Sequence, residues 1–361
     1  MGIKRNVASV YVPLLLLVGG AATQNASAQS SVTLYGVVDG GILYANRMYD
    51  PITATNNRRQ LSMIDAGMGP SLVGLTGAED IGGGSKITFK LESGINVNSG
   101  GIGNSNGNLF GRQANVGIAG RWGDLKVGVQ YSPFVLSIIN TEPREASYFG
   151  SEAVIYLGNL FTTGIFAPNS ITYTTPSING IQGSAMVALG GQAGNFQSGR
   201  QYSARLKYVY GGLVVDAALF DGNAGGAVST PVPTHIAFDG KHIGMSYSFG
   251  YAKLKASFSN YKIAGSFNDR VYSIGGDYSF SPAFKANGGV WIVSDGNNSS
   301  NHSILAAIGL DYLLSKRTSL YGAAAFVNNH GVMHTGISAN GDLYGPTGTS
   351  AGVVVGVHHS F

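Results

Sequence analysis

Charged side chains are scarce in this chain, so the places where they gather are where chemistry should be sought. Glu142, Arg144, Glu145 and Glu152 fall in one segment, 131–169, beside Pro133, Phe134, Val135, Leu136, Ile138 and Ile139. Charges of both signs on an apolar segment can act on an ion by position and field, with no bond made or broken. Nucleophilic and metal chemistry have less support. His330 and His334 have a helical ligand spacing but lie in a Gly/Asn-rich stretch without a Glu partner, and adjacent His358 and His359 would point to opposite faces of a strand. Gly101-x-Gly103 does not complete a dinucleotide motif, and Gly82-Gly83-Gly84-Ser85-Lys86 lacks the order of a phosphate loop. No Gly-x-Ser-x-Gly stands at a strand-to-helix turn, and there is no cysteine to act as a nucleophile. The expectation is a protein that is not an enzyme, with no metal and no cofactor. An unrecognised Ser–His or Asp–His pair would defeat it.

The first residues read as an export signal. Lys4 and Arg5 precede an apolar run over 7–20, interrupted by Pro13, and Ala26-Ser27-Ala28 gives the small-x-small pattern of a cleavage site. The expected division is a leader at 1–28 and a mature chain at 29–361. Losing Lys4 and Arg5 reduces the 22 basic residues to 20 against 18 acidic, a net charge of +2. That balance, with no basic cluster, argues against nucleic acid as a partner. Charged residues make up 11% of the chain, where a soluble domain carries about 25%. The 44% apolar content rules out disorder, and no later stretch approaches the ~18 apolar residues of a spanning helix. A bilayer then leaves only a closed barrel, since unpaired backbone groups are too costly in its core.

The elements that would position the charged segment are strands. In 86–92, Ile87, Phe89 and Leu91 alternate with Lys86, Thr88, Lys90 and Glu92. The same alternation sets Arg205 and Lys207 opposite Tyr202, Leu206 and Tyr208, and Lys253 and Lys255 opposite Leu254 and Phe258. Sixteen strands are expected, starting near residues 32, 70, 86, 110, 125, 170, 181, 202, 213, 241, 252, 271, 284, 304, 319 and 351. An even count fits a bacterial barrel, and sixteen strands leave an aqueous lumen. Short turns, as at Tyr210-Gly212, alternate with long Gly/Asn/Ser-rich loops at 96–109, 221–240, 295–301 and 328–350. The longest gap, 131–169, is too apolar for disorder and is expected to fold into the lumen and narrow it.

With these motifs assembled, the chain resembles the trimeric Gram-negative general-diffusion porins. Ser31-Val32-Thr33-Leu34-Tyr35-Gly36-Val37-Val38-Asp39 is similar to the family's first strand, and Gly74-Leu75 with Glu79-Asp80-Ile81-Gly82-Gly83-Gly84 to its second strand and tight turn. Leu91-Glu92-Ser93-Gly94, Phe110-Gly111-Arg112-Gln113-Ala114 and Asn169-Ser170-Ile171-Thr172-Tyr173 resemble the third, fourth and sixth wall segments. Terminal Phe361, after Val353, Val355, Val357 and His359 on one face, resembles the family's signal to the barrel-assembly machinery. The resemblance implies an all-β, sixteen-stranded antiparallel transmembrane barrel with an inward-folded third loop. It also implies a homotrimer in the outer membrane of a Gram-negative cell, in contact with lipid and lipopolysaccharide. By the same analogy Glu142, Glu145 and Glu152, with Arg144 among them, would face a basic wall that includes Arg112. Leu72, Thr76 and Val129 stand where the family usually has basic residues, so that wall is thinned.

Arg112 then has two readings, a selective charge in the pore or a clamp that pairs with a loop acid. Asp39, Lys86, Lys90, Glu92, Arg205, Lys207, Lys253 and Lys255 are expected to face the lumen and set a diffuse potential. The function expected is passive diffusion of ions and small hydrophilic solutes through a water-filled channel. The alternatives are a substrate-selective channel and a barrel serving mainly as adhesin or anchor.

Overall fold

The computed structural model describes residues 31–50, 55–160, 163–191, 193–223 and 237–361. The expected leader, and most of the loop at 221–240, lie outside the described residues. Strand is the dominant element: β1 (Ser31–Asp50), β2 (Thr55–Asp65), β3 (Leu72–Gly82), β4 (Ser85–Gly94), β5 (Gln113–Gly120) and β6 (Gly123–Tyr131). Two helices follow, α1 (Pro133–Thr141) and α2 (Glu152–Leu160), then β7 (Phe166–Thr174), β8 (Ile181–Ala188), β9 (Gln201–Tyr210), β10 (Leu213–Gly222) and β11 (Phe238–Phe249). The chain continues as β12 (Ala252–Ile263), β13 (Asn268–Ser281), β14 (Phe284–Asp295), β15 (His302–Leu313), β16 (Thr318–His330), a small β17 (Thr335–Ser338) and β18 (Asp342–Tyr344) hairpin, and β19 (Gly348–Ser360).

Each wall strand pairs antiparallel with the next, and β1 closes the ring by pairing with β19 on its other side. The seventeen sheet segments make sixteen wall strands, because β2 and β3 lie end to end along β1. Asp65 of β2 pairs with Gly40, and Leu72 of β3 pairs with Val37. Between them the chain leaves the sheet at Ala66, whose φ is +60°, and returns at Leu72. Alternation finds β3 but not β2, because Asn56-Asn57-Arg58-Arg59 breaks the apolar period. At the opposite end of the wall the turns are tight. Between β3 and β4, Gly83 and Gly84 take φ of +63° and +76°, a region that favours glycine over residues with a Cβ.

The period-two pattern separates two solvents. Leu254, Ile274, Ile308 and Val355 point outward and are exposed, as a lipid-facing surface requires. Aromatic side chains gather on that face near the short turns, with Tyr208 stacked on Tyr210 and Tyr247 on Phe249. The apolar core lies inside the barrel, where Phe134, Phe149, Ile155, Trp291, Leu305 and Ile337 are buried together.

Candidate constriction site

The segment read as a loop without regular structure carries α1 and α2. Ser132 caps α1, its Oγ accepting from the Val135 N–H at 3.2 Å, and Pro133 occupies the first turn, where no N–H is needed. Phe134, Val135, Ser137, Ile138 and Thr141 form the buried face of α1, whereas Leu136 and Ile139 are exposed. The buried face lies on lumen-facing wall residues. Phe134 packs against Phe220, Phe238 and Tyr261 at 6.0, 6.2 and 6.3 Å between ring centroids. Ser137 Oγ and Asn140 Nδ2 donate to Asp216 at 2.8 and 2.9 Å, and Thr141 Oγ1 lies 2.8 Å from His242 Nε2. The wall makes room with glycine: a Cβ on Gly240 would stand 2.7 Å from the Phe134 ring, and one on Gly289 2.9 Å from Pro143.

The loop tip consumes most of the charge that the 131–169 segment carries. Glu142 is fully buried, and its carboxylate accepts the N–H groups of Arg144, Ala146 and Glu152 at 2.8, 2.6 and 3.2 Å. Burial pushes its pKa up against those bonds. Arg144 is also buried. It donates to Asn287 Oδ1 at 2.7 Å and to the carbonyls of Phe149 and Gly150. Glu152 is sealed at the start of α2 with Tyr261 donating to Oε1, and Oε2 has no partner among the described residues. Desolvation raises its pKa to about 7. Glu145 alone among these acids keeps an exposed carboxylate, 57% by side chain, 3.4 Å from Lys255 Nζ. Lys255, Lys285 and Lys253 hold its pKa below the usual range despite partial burial.

Arg112 is buried at the root of the loop. Its Nε donates to Glu92 at 2.9 Å, a second nitrogen reaches the Asn104 carbonyl at 3.2 Å, and a third the Tyr131 hydroxyl. The guanidinium lies 5.1 Å from the Phe166 ring centroid. Its partner is a wall acid, where the pairing reading expected a loop acid. Glu92 also receives Tyr35 at 2.7 Å and Lys90 at 3.3 Å.

Of the remaining lumen candidates, Arg205 pairs with Asp216 and Lys255 is buried against the Glu142 carbonyl at 3.0 Å. Lys86, Lys207 and Lys253 make no ion pair among the described residues and sit near the short-turn end. Asp39 is fully buried. Its carboxylate accepts the N–H groups of Gly67, Met68 and Gly69 and the Tyr321 hydroxyl, which folds the 66–71 excursion into the lumen. That excursion meets the loop tip where Tyr148 N–H donates to the Met68 carbonyl at 3.0 Å.

Two contributors escaped the sequence reading. One is the 66–71 excursion. The other is the β17–β18 hairpin, in the stretch read as a polar loop, whose Ile337 carbonyl accepts from Gly150 at 2.8 Å. Small lumen-facing wall residues such as Gly240 and Gly289 were the available signal for where the loop docks. Of the histidines, His330 stacks on His302 at 4.4 Å, and His358 faces Asp39 at 3.3 Å while His359 points outward. Among the described residues no group of three His, Asp or Glu is placed to hold a metal.

Comparison with known proteins agrees with this architecture. The pattern of the Gram-negative porin family matches residues 14–331. Outer membrane porin protein 32 of Delftia acidovorans is 30% identical, over 96% of this chain and 99% of that protein. The anion-selective porin from Comamonas acidovorans superposes with a TM-score of 0.79 at 26% identity, over 92% of this chain and 100% of that one. An outer membrane protein of Vibrio cholerae, OmpT in its trimer form, shares the fold at a TM-score of 0.67 and 13% identity, over 92% and 99% of the two chains.

Proposed function

The chain belongs to the Gram-negative porins, and from that premise we propose that its channel prefers small anions. The protein lies in the outer membrane, and its barrel is a water-filled channel for passive diffusion of ions and small hydrophilic solutes. The observation that carries the anion preference is the unequal exposure of the two signs of charge. Glu92, Asp124, Asp216 and Asp277 pair with Arg112, Lys126, Arg205 and Lys285, and Glu142 and Glu152 are sealed away from water. Lys86, Lys207 and Lys253 are left on the lumen face near the short turns, opposed by Asp80 across from Lys86, by Asp311, and at the loop tip by Glu145. A fixed charge in a narrow, poorly screened passage raises the local concentration of its counterion. The name of the Comamonas relative is in keeping with this reading.

The test is the reversal potential of single channels in a planar bilayer under a salt gradient. An anion-selective potential is expected, and Lys253→Gln with Lys207→Gln should move it toward cations. A cation-selective wild-type channel would overturn the assignment.

The same reading includes removal of the 1–28 leader on export, a homotrimer, and lipid and lipopolysaccharide around the apolar belt. Phe361 would be the signal to the assembly machinery. Its backbone pairs with Gly36 at 3.0 and 3.2 Å, so it completes the closing seam between β1 and β19. We assign the channel no cofactor and no reaction of its own.

A further inference from the structure

Two cavities flank the contact between the loop tip and the 66–71 excursion. On one side lies a polar cavity of about 200 Å³, lined by Arg144, Asp277, Lys285, Asn287 and Asp311. On the other lies a cavity of about 250 Å³ with a predominantly apolar lining, including Val135, Ile139, Tyr148, Leu157 and Phe166, with the paired Arg112 at its wall. Met68, Gly69 and Glu145 line both, so the two cavities abut. An apolar cavity is out of place in a passage for hydrophilic solutes, since water there gives up hydrogen bonds without replacement. Ile139 reaches it from the exposed side of α1, at 36% exposure.

We propose that this pair of cavities is a binding site for an amphipathic solute, an amino acid zwitterion with an aromatic or branched apolar side chain. A cavity of about 150 Å³ already accepts a benzene ring, so the apolar side has room for such a group. The head would lie at the shared edge. There Glu145 offers an exposed carboxylate to the ammonium, and Lys285, one-third exposed and 3.5 Å from Asp277 on the polar side, would exchange that partner for the solute carboxylate. Both signs of charge stand within one small cavity, which suits a zwitterion better than a simple anion or a sugar. Binding of this kind raises the residence time of one solute class in a channel otherwise open to many. The site rests on the channel reading above.

The experiment is block of the potassium chloride current through single wild-type channels by L-phenylalanine, L-serine and phenyl β-D-glucoside. Phenylalanine should give saturable block at a concentration at least tenfold lower than serine, with the glucoside weaker than phenylalanine. Ile139→Asn and Met68→Asn should each reduce the advantage of phenylalanine over serine to below threefold. Equal block by phenylalanine and serine would overturn the apolar half of the site. Equal block by phenylalanine and the glucoside would overturn the zwitterionic half. Either result comes from a channel that conducts, whereas a folded barrel with no salt current would remove the channel reading itself.

Discussion

The root and the tip of the third loop each hold an arginine and a carboxylate, and the two clusters work differently. At the root, Arg112 and Glu92 are wall residues that neutralise each other inside a cage of Tyr35, Tyr131 and Phe166. At the tip, Glu142 and Arg144 do not bond to each other through their side chains. Glu142 gathers three backbone N–H groups, and Arg144 gathers two carbonyls and Asn287. The root is an ion pair that fixes where the loop leaves the wall. The tip uses charge to satisfy backbone that has no strand or helix partner. Both arginines edge a lumen cavity but are almost wholly withdrawn from water, so a charge near a constriction does not by itself contribute to selectivity. Accessibility to water decides that.

The sharpest way to break the comparison is Arg112→Met. It leaves Glu92 buried with Lys90 as its remaining cation, and removing one partner of a buried pair costs about 3–5 kcal/mol. Urea unfolding of the purified barrel should show that loss while the reversal potential stays near wild type. A large shift in reversal potential with unchanged stability would return Arg112 to the pore. Phe134→Ala tests the packing that both clusters frame, and should cost about 3–5 kcal/mol by opening a cavity against Phe220 and Tyr261. Its loosened α1 should appear as noisier open-channel current.

Glu142→Gln keeps the shape of the tip but weakens the bonds its carboxylate accepts, by roughly 1–3 kcal/mol in total. If unfolding of this variant matches wild type, the tip does not depend on that carboxylate. Glu145→Gln should change stability little, since its side chain is more than half exposed. It should nevertheless move the reversal potential toward anions, and no movement would detach Glu145 from the ion path. The smallest effect is a pH dependence. Glu152, raised from 4.5 to about 7, keeps in the folded state a proton that the unfolded chain releases. Its contribution to stability is therefore full below pH 4.5, declines as pH rises toward about 7, and is level above. Glu152→Gln should flatten that slope in a pH series of unfolding curves.

Much of this was legible in the order of residues. Period-two alternation placed strands and faces, because a strand's side chains are assigned to lipid or lumen by position alone. It found the strand starts and put Lys86, Lys90, Lys253 and Lys255 on the inner face. It failed at β2, where Arg58 and Arg59 break the pattern at the long-loop end. It also failed inside the loops, where α1, α2 and the β17–β18 hairpin are stabilised by the wall they touch.

Local period, composition and spacing were enough for the barrel, its strand number and its lumen face, because a strand's faces alternate residue by residue. Which charges meet water was settled by packing between distant segments. Arg144 is sealed by Asn287, 143 residues away, and Asp39 by Tyr321, 282 residues away. Burial is set by neighbours that the chain brings together from a distance, and no local pattern records them.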